Sequence, residues 1–139
     1  SNGLYLLPGA AAYAAVAGTH PPAPALVGGW LWTMGMHTYS AIPDIGPDRN
    51  AGIETTATVL GETRTYAYCG ACWTLAALAF GLLDVRLGAL LGVYPLFLLG
   101  TVGAGVDVDR AYWWFPFVNG LVGMVMTLGA LFAMRGWIA

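Results

Sequence analysis

The sequence contains no lysine, and charged residues of all kinds make up only 9% of it, five arginines against seven acids. A soluble domain carries roughly 25% charged residues, so an ordinary water-facing surface is excluded. A net charge of −2 leaves no basic footprint for nucleic acid, and no nucleic-acid partner is expected. Cysteine is scarce as well. Cys69-Gly70-Ala71-Cys72 has the CxxC spacing, but no second pair completes a zinc site. An apolar setting keeps thiols inert, so small-residue packing is the expected role, and neither cysteine reports on compartment. There is no internal repeat and no low-complexity tract. No charged stretch precedes Leu4, so no signal peptide is expected here, and the expectation is a chain that begins in mid-protein.

Apolar residues are abundant: 58% of the chain is hydrophobic, mean hydropathy is +0.69, and there are 20 glycines. Five apolar stretches cover 4–18, 25–42, 66–83, 87–106 and 112–134. Each approaches the ~20 residues that cross a ~30 Å hydrocarbon core. Sustained alternation is missing and the runs are too long for strands. In lipid a helix satisfies its own backbone groups. The predicted fold is therefore all-α, a polytopic transmembrane bundle of about five helices, multi-pass in the cell membrane with the bilayer as its solvent. Gly88-Ala89-Leu90-Leu91-Gly92 matches GxxxG and predicts a close helix crossing within the bundle. Arg49, Arg64 and Arg110 fall on one side of this topology and Arg86 and Arg135 on the other, a small bias that makes the first side cytoplasmic.

One connection is long. Residues 43–65 are polar, punctuated by proline and glycine, and hold six of the twelve Asp, Glu and Arg residues. Long polar loops in compact proteins tend to be functional. Within this one, Asp44 and Asp48 are spaced i, i+4, which on a helical turn puts both carboxylates on one face. Like charges so placed repel unless a cation lies between them. Magnesium prefers one or two carboxylates plus substrate phosphate oxygens, so the pair suits a metal–diphosphate, with Arg49 adding positive charge to the phosphate. The spacing alone fits equally well with two capping aspartates on a solvated loop.

Three further side chains are candidates for substrate contact. His37 lies seven residues before Asp44, two helical turns on the same face, and an ionisable residue in a membrane helix is a functional candidate; the alternative is a neutral histidine bonded to a neighbouring helix. Tyr39, with Trp30 and Trp32 on the same helix, offers an aromatic face to a cation, or else packs or sits at the lipid interface. Arg110, beside Asp107 and Asp109, either helps hold a diphosphate or belongs to an ion cluster that ends a helix. Thr55, Thr56 and Thr58 suit the cap of a helix beginning near them.

The wider string is more specific. Asp44-x-x-x-Asp48-x-x-x-Gly52, followed by Thr55-Thr56-Ala57-Thr58-Val59-Leu60-Gly61, resembles the second aspartate motif of the UbiA prenyltransferase superfamily. The lead-in His37-Thr38-Tyr39-Ser40-Ala41-Ile42-Pro43, the opening Ser1-Asn2-Gly3-Leu4-Tyr5 and the late Arg110-Ala111-Tyr112-Trp113-Trp114-Phe115-Pro116 are most similar to its archaeal lycopene elongase branch. The resemblance covers essentially all of residues 1–139 and implies one domain: helices five to nine of a nine-helix fold, with 43–65 as active-site loop. It implies Mg²⁺ bound by catalytic Asp44 and Asp48, an allylic diphosphate donor such as dimethylallyl diphosphate, and an apolar isoprenoid acceptor such as lycopene. The first aspartate motif has no counterpart here, so the resemblance also implies a missing N-terminal half as partner and no activity for this chain alone. Within the superfamily, quinone and archaeal ether-lipid prenyltransferases are alternatives. A non-catalytic membrane scaffold or transporter subunit is the alternative of another class.

Overall fold

A computed structural model describes residues 2–136; Ser1 and 137–139, the ends of the 1–139 unit, lie outside the described residues. Among the described residues the fold is all-helical, without a strand. A 3-10 turn, Asn2–Leu6, leads into α1 (Leu7–Ala17). Then come α2 (Ala23–Ser40), α3 (Ile45–Asn50), α4 (Thr56–Leu60), α5 (Glu62–Gly81), α6 (Val85–Leu91), α7 (Val93–Gly103) and α8 (Val108–Met134).

The helix boundaries follow local chemistry. Helix α1 carries Pro8 in its first turn, where no N–H is needed, and stops at Gly18, whose φ of 67° is the left-handed conformation that glycine takes without strain. Helix α2 starts behind Pro22. The single apolar stretch 87–106 is two helices, α6 and α7, meeting at Gly92. The reason is Pro95: it has no N–H to give the carbonyl of Leu91 four residues back, so the ladder lapses there. Gly92 N–H to Gly88 O at 3.0 Å and Leu96 N–H to Gly92 O at 3.2 Å carry the chain across the break. Helix α8 begins earlier than its apolar stretch suggests, at Val108, because Asp107 accepts a bond from the Asp109 N–H and caps it. Asp109 and Arg110 are therefore first-turn residues rather than a loop.

Residues 43–65 also differ from a plain loop. They hold α3 and α4 and the start of α5. Thr55 and Thr58 form a reciprocal cap: the Thr58 N–H donates to Thr55 Oγ1 at 3.1 Å, and the Thr55 N–H donates to Thr58 Oγ1 at 2.7 Å. Gly61, at φ 74°, then turns the chain into α5. A sequence scan for apolar runs passes over such short polar helices.

The core forms where α2, α5, α7 and α8 meet. Tyr39 and Trp73 are wholly buried, and Phe115 stacks on Trp73 at 5.5 Å and 20° while lying 5.1 Å from Tyr39. Offset ring pairs of this kind add stability beyond burial. Gly35 makes room for Trp73: a Cβ there would fall 2.7 Å from the indole nitrogen. Helices α5 and α6 cross at Gly81 and Gly88, where a Cβ on Gly88 would stand 2.7 Å from the Gly81 Cα and 2.8 Å from the Ala77 carbonyl oxygen. The GxxxG crossing is thus made by its first glycine; the second marks the helix break. Cys69 and Cys72 are free thiols buried in α5, as packing residues would be.

Outside this core the long helices expose many large apolar side chains. Val85–Gly103 and Val108–Met134 are long and apolar enough to cross a membrane, with mean hydropathies of 1.7 and 1.9, and only 17% and 6% of their apolar windows are buried. The core helix of a soluble protein would be mostly buried. Trp113, Trp114 and Phe117 cluster on the exposed side of α8 near its start, with ring centroids 5.0–5.6 Å apart.

Candidate functional site

Helix α2 delivers the chain to the acidic turn. It ends at Ser40; the Ile42 N–H still bonds Tyr39 O, and Pro43 follows. The Asp48 N–H donates to Asp44 O at 2.8 Å, so the two acids are joined by one helical turn and their side chains leave the same face. Asp44 is exposed and Asp48 half-buried. Asp44 stands at the start of α3 but makes no cap hydrogen bond, and among the described residues neither carboxylate has a hydrogen-bond or ion-pair partner. Two free carboxylates one turn apart repel, and among the described residues no hydrogen bond or ion pair engages either of them.

This donor set is compatible with magnesium. No group of three or more His, Cys, Asp or Glu side chains comes together among the described residues, which rules out a closed site made by these residues alone. Magnesium holds several waters and takes further oxygens from a bound phosphate, so two carboxylates suffice as the protein's share. The principal cavities of the described residues are lined by other side chains. The acidic turn therefore presents an open face.

Arg49 is engaged. Its Nε–H and a terminal N–H both donate to the carbonyl oxygen of Thr58, at 3.1 and 2.7 Å. The guanidinium therefore braces α3 against α4, next to Gly61, and keeps its remaining N–H groups for another partner. The residue type alone does not reveal this brace, because its acceptor is a backbone atom nine residues on. Replacing Arg49 with Gln removes it: amides over 53–61 are expected to exchange about tenfold faster, consistent with the ~1.5–3 kcal/mol that a hydrogen bond to a charged group is worth. Hydrogen exchange followed by mass spectrometry reads the first effect, and an unchanged exchange rate would show that the brace does not order the turn.

The other candidates separate. Tyr39 lies inside the chain's own aromatic core, ringed by Trp73, Phe97, Tyr112 and Phe115, with its hydroxyl unpartnered. Trp30 is half exposed and covers Gly3, and Trp32 meets Tyr94 edge-on. His37 stacks on Tyr5, ring centroids 4.0 Å apart and planes at 32°, and its Nε2 is buried without a hydrogen-bond partner. It bonds no neighbouring helix through that nitrogen. Arg110 is exposed in the first turn of α8, at the same end of the bundle as the acidic turn, since Tyr112 two residues on reaches Tyr39. A cleft of about 390 Å³ beside the turn brings His37 and Thr38 of α2 together with Glu54, Thr55 and Thr56. The sequence singles out His37 but not Thr38 or Glu54 as its companions.

The fold and this turn describe a helical, lipid-compatible protein with an acidic grip at one end. Residues 3–115 match the UbiA prenyltransferase family, and the chain belongs to that family. Among curated proteins it is 69% identical over 134 residues to a lycopene elongase/hydratase of Haloferax volcanii, covering 96% of this chain and 44% of the relative. It is 63% identical to a lycopene elongase/hydratase of Halobacterium salinarum (96% and 49% covered) and 60% identical to one of Haloarcula japonica (96% and 46%). The chain spans about half the length of the curated relatives it matches. No solved structure matches it.

Proposed function

We propose that this chain is the portion of a multi-pass membrane prenyltransferase that carries the second aspartate motif, and that the enzyme transfers a dimethylallyl group from its diphosphate to lycopene. The observation that carries the reading is the pair of unpartnered carboxylates, Asp44 and Asp48, one turn apart in a chain of this family. The lycopene elongase/hydratase relatives favour a carotenoid acceptor over a quinone or an ether lipid, and family membership favours an enzyme over a scaffold.

In this reading Asp44 and Asp48 would hold Mg²⁺ for the diphosphate. When bound, the metal supplies the positive charge that neutralises the leaving group as the allylic C–O bond ionises. The chain's own residues do the rest. The Arg49–Thr58 brace fixes the turn, and the free N–H groups of Arg49, with Arg110 at the same end, add positive charge for phosphate. The dry aromatic core beneath the turn keeps water from the cation. The rest of a full-length protein would have to supply the other wall of the site and the first motif, so this chain alone is expected to be inactive.

The test is reconstitution. Membranes carrying the full-length protein, made if necessary by grafting this chain over the matching region of the Haloferax volcanii relative, are given lycopene and dimethylallyl diphosphate. Products heavier by one and two five-carbon units are expected, lost on chelation with EDTA and restored by Mg²⁺. Transfer to an aromatic quinone precursor instead of lycopene, or transfer insensitive to EDTA, would refute the assignment.

A further inference from the structure

The start of α8 carries three rings that take no part in the acidic turn. Trp113, Trp114 and Phe117 are each more than half exposed and touch one another, with ring centroids 5.0–5.6 Å apart. Successive residues of a helix are rotated by about 100°. Phe115 is buried in the core, so Trp113 and Phe117, two residues to either side, leave the helix almost opposite the core. Neither indole N–H of the pair has a hydrogen-bond partner among the described residues. In hydrocarbon such an N–H goes unsatisfied. At a membrane–water boundary the ring lies against the tails while the N–H bonds water or a headgroup.

The charges give the level. Asp107, Asp109 and Arg110 precede the rings and mark the aqueous side. Beyond Trp114 no residue is charged until Arg135, and that interval matches the ~20 residues that cross a ~30 Å hydrocarbon core. A boundary drawn at Trp113 and Trp114 thus puts the other edge of the same core at Arg135.

We propose that Trp113, Trp114 and Phe117 dock at the headgroup–hydrocarbon boundary of the leaflet beside the acidic turn, and that this anchor holds Asp44 and Asp48 in the headgroup layer. Tyr112, next to the cluster, has its ring centroid 6.4 Å from that of Tyr39. Tyr39 therefore lies near the level of the rings. From Tyr39 the chain continues outward through bonded turns, Ile42 N–H to Tyr39 O and Ile45 N–H to Ile42 O. Asp44 is then reached ~8 Å further on at the helical rise. The acids stand on the water side of the boundary, with Tyr39, Trp73 and Phe115 at or below it. A charged ligand reaches such acids from water, and an apolar one reaches the same turn from lipid. Lipid is the occupant because the uncharged span has bilayer length and tryptophan is a residue that favours this boundary. The inference does not depend on the prenyl-transfer reading.

Fluorescence in vesicles tests it. The full-length protein is reconstituted into phospholipid vesicles whose acyl chains are brominated close to the headgroup or close to the tail end. Tryptophan emission is compared between the unaltered protein and a Trp113→Phe/Trp114→Phe variant. The emission lost with the two indoles is expected to be a part that shallow bromines quench strongly and deep bromines weakly. Trp113→Phe alone serves if the double variant does not accumulate. The turn is read with a fluorophore on Gly46→Cys, where a Cβ meets nothing within 4 Å, against the unaltered protein treated with the same label. Aqueous iodide is expected to quench that fluorophore, and deep bromines to leave it bright. Three results would overturn the proposal. Stronger quenching of the lost emission by deep bromines puts the rings inside the hydrocarbon. No quenching by either bromine puts them in water, or beneath another part of the protein or a second copy. A fluorophore at position 46 that deep bromines quench and iodide does not puts the turn within the membrane.

Discussion

Asp44→Asn and Asp48→Asn are each expected to reduce the proposed prenyl transfer by about a thousandfold, equivalent to roughly 4 kcal/mol of transition-state stabilisation, in the full-length protein. Asparagine keeps the size and shape of the side chain but offers magnesium a neutral amide in place of an anion. With one carboxylate of two gone, the proposed metal–diphosphate would lose half of this chain's share of its charge compensation. The fold is expected to tolerate both changes. Asp44 is exposed and makes no cap hydrogen bond, so its replacement should move stability by less than ~0.5 kcal/mol. Asp48 lies in the first turn of α3, where loss of its charge costs ~0.3–1 kcal/mol against the helix dipole. Removing the repulsion between the acids offsets part of that. The control is Asp84→Asn at the opposite end of α5. Asp84 accepts the Arg86 N–H at 2.7 Å as the cap of α6, and asparagine can accept the same bond. Activity equal to the unaltered protein in either motif variant, measured as product formed per folded protein, would end the metal–diphosphate assignment.

The acidic turn was readable because its signal is a spacing. The acids of an i, i+4 pair share a face wherever the backbone is helical, and the backbone bond from Asp48 to Asp44 makes it so. The all-helical class was readable because long apolar runs without alternation leave little else. What stayed hidden has two physical sources. One is backbone acceptance: the partner of Arg49 is the Thr58 carbonyl, and carbonyls carry no residue signature. The other is cooperative local structure within a polar segment. The Thr55–Thr58 cap was anticipated from residue type, but that it would nucleate a separate five-residue helix before Gly61 depends on the brace and the turn together. Similarly, Pro95 in a long apolar run foretells a lapse at Leu91 only if the run is known to be helical through that point. Tyr39 shows a limit of another kind. An aromatic shortly before an acidic motif reads as a cation-facing ring or as core, and only the packing of Trp73 and Phe115 around it places it in the core.

Gly88→Val is expected to separate α5 from α6 and to be among the most damaging single substitutions in the chain. The atoms that its Cβ would meet are the Gly81 Cα at 2.7 Å, the Ala77 carbonyl oxygen at 2.8 Å and the Gly81 nitrogen at 3.0 Å, all of them backbone. A side chain can rotate out of the way; a helix backbone cannot, so the helices must move apart by more than an ångström. In lipid the loss is not offset by hydrophobic burial, since the tails are as apolar as the helices, and close packing through small residues is what holds them together. Overpacking of this kind costs about 1–3 kcal/mol and here should reach the upper end, because no rotamer relieves it. The displacement would propagate to Leu91 and Tyr94 in the core, since α6 runs into α7 through Gly92. Two glycines separate this effect from a general intolerance of larger residues. Gly100, on α7, has open space around it, so Gly100→Val should lose only what a β-branched residue loses in a helix. Gly92, whose near neighbours are its own preceding turn, should fall between the two. Thermal unfolding in detergent, ranked Gly88→Val well below Gly92→Val and Gly92→Val below Gly100→Val, is the expected order. Equal melting temperatures for the Gly88 and Gly100 variants would mean that the α5–α6 crossing is not the contact on which this half of the bundle depends.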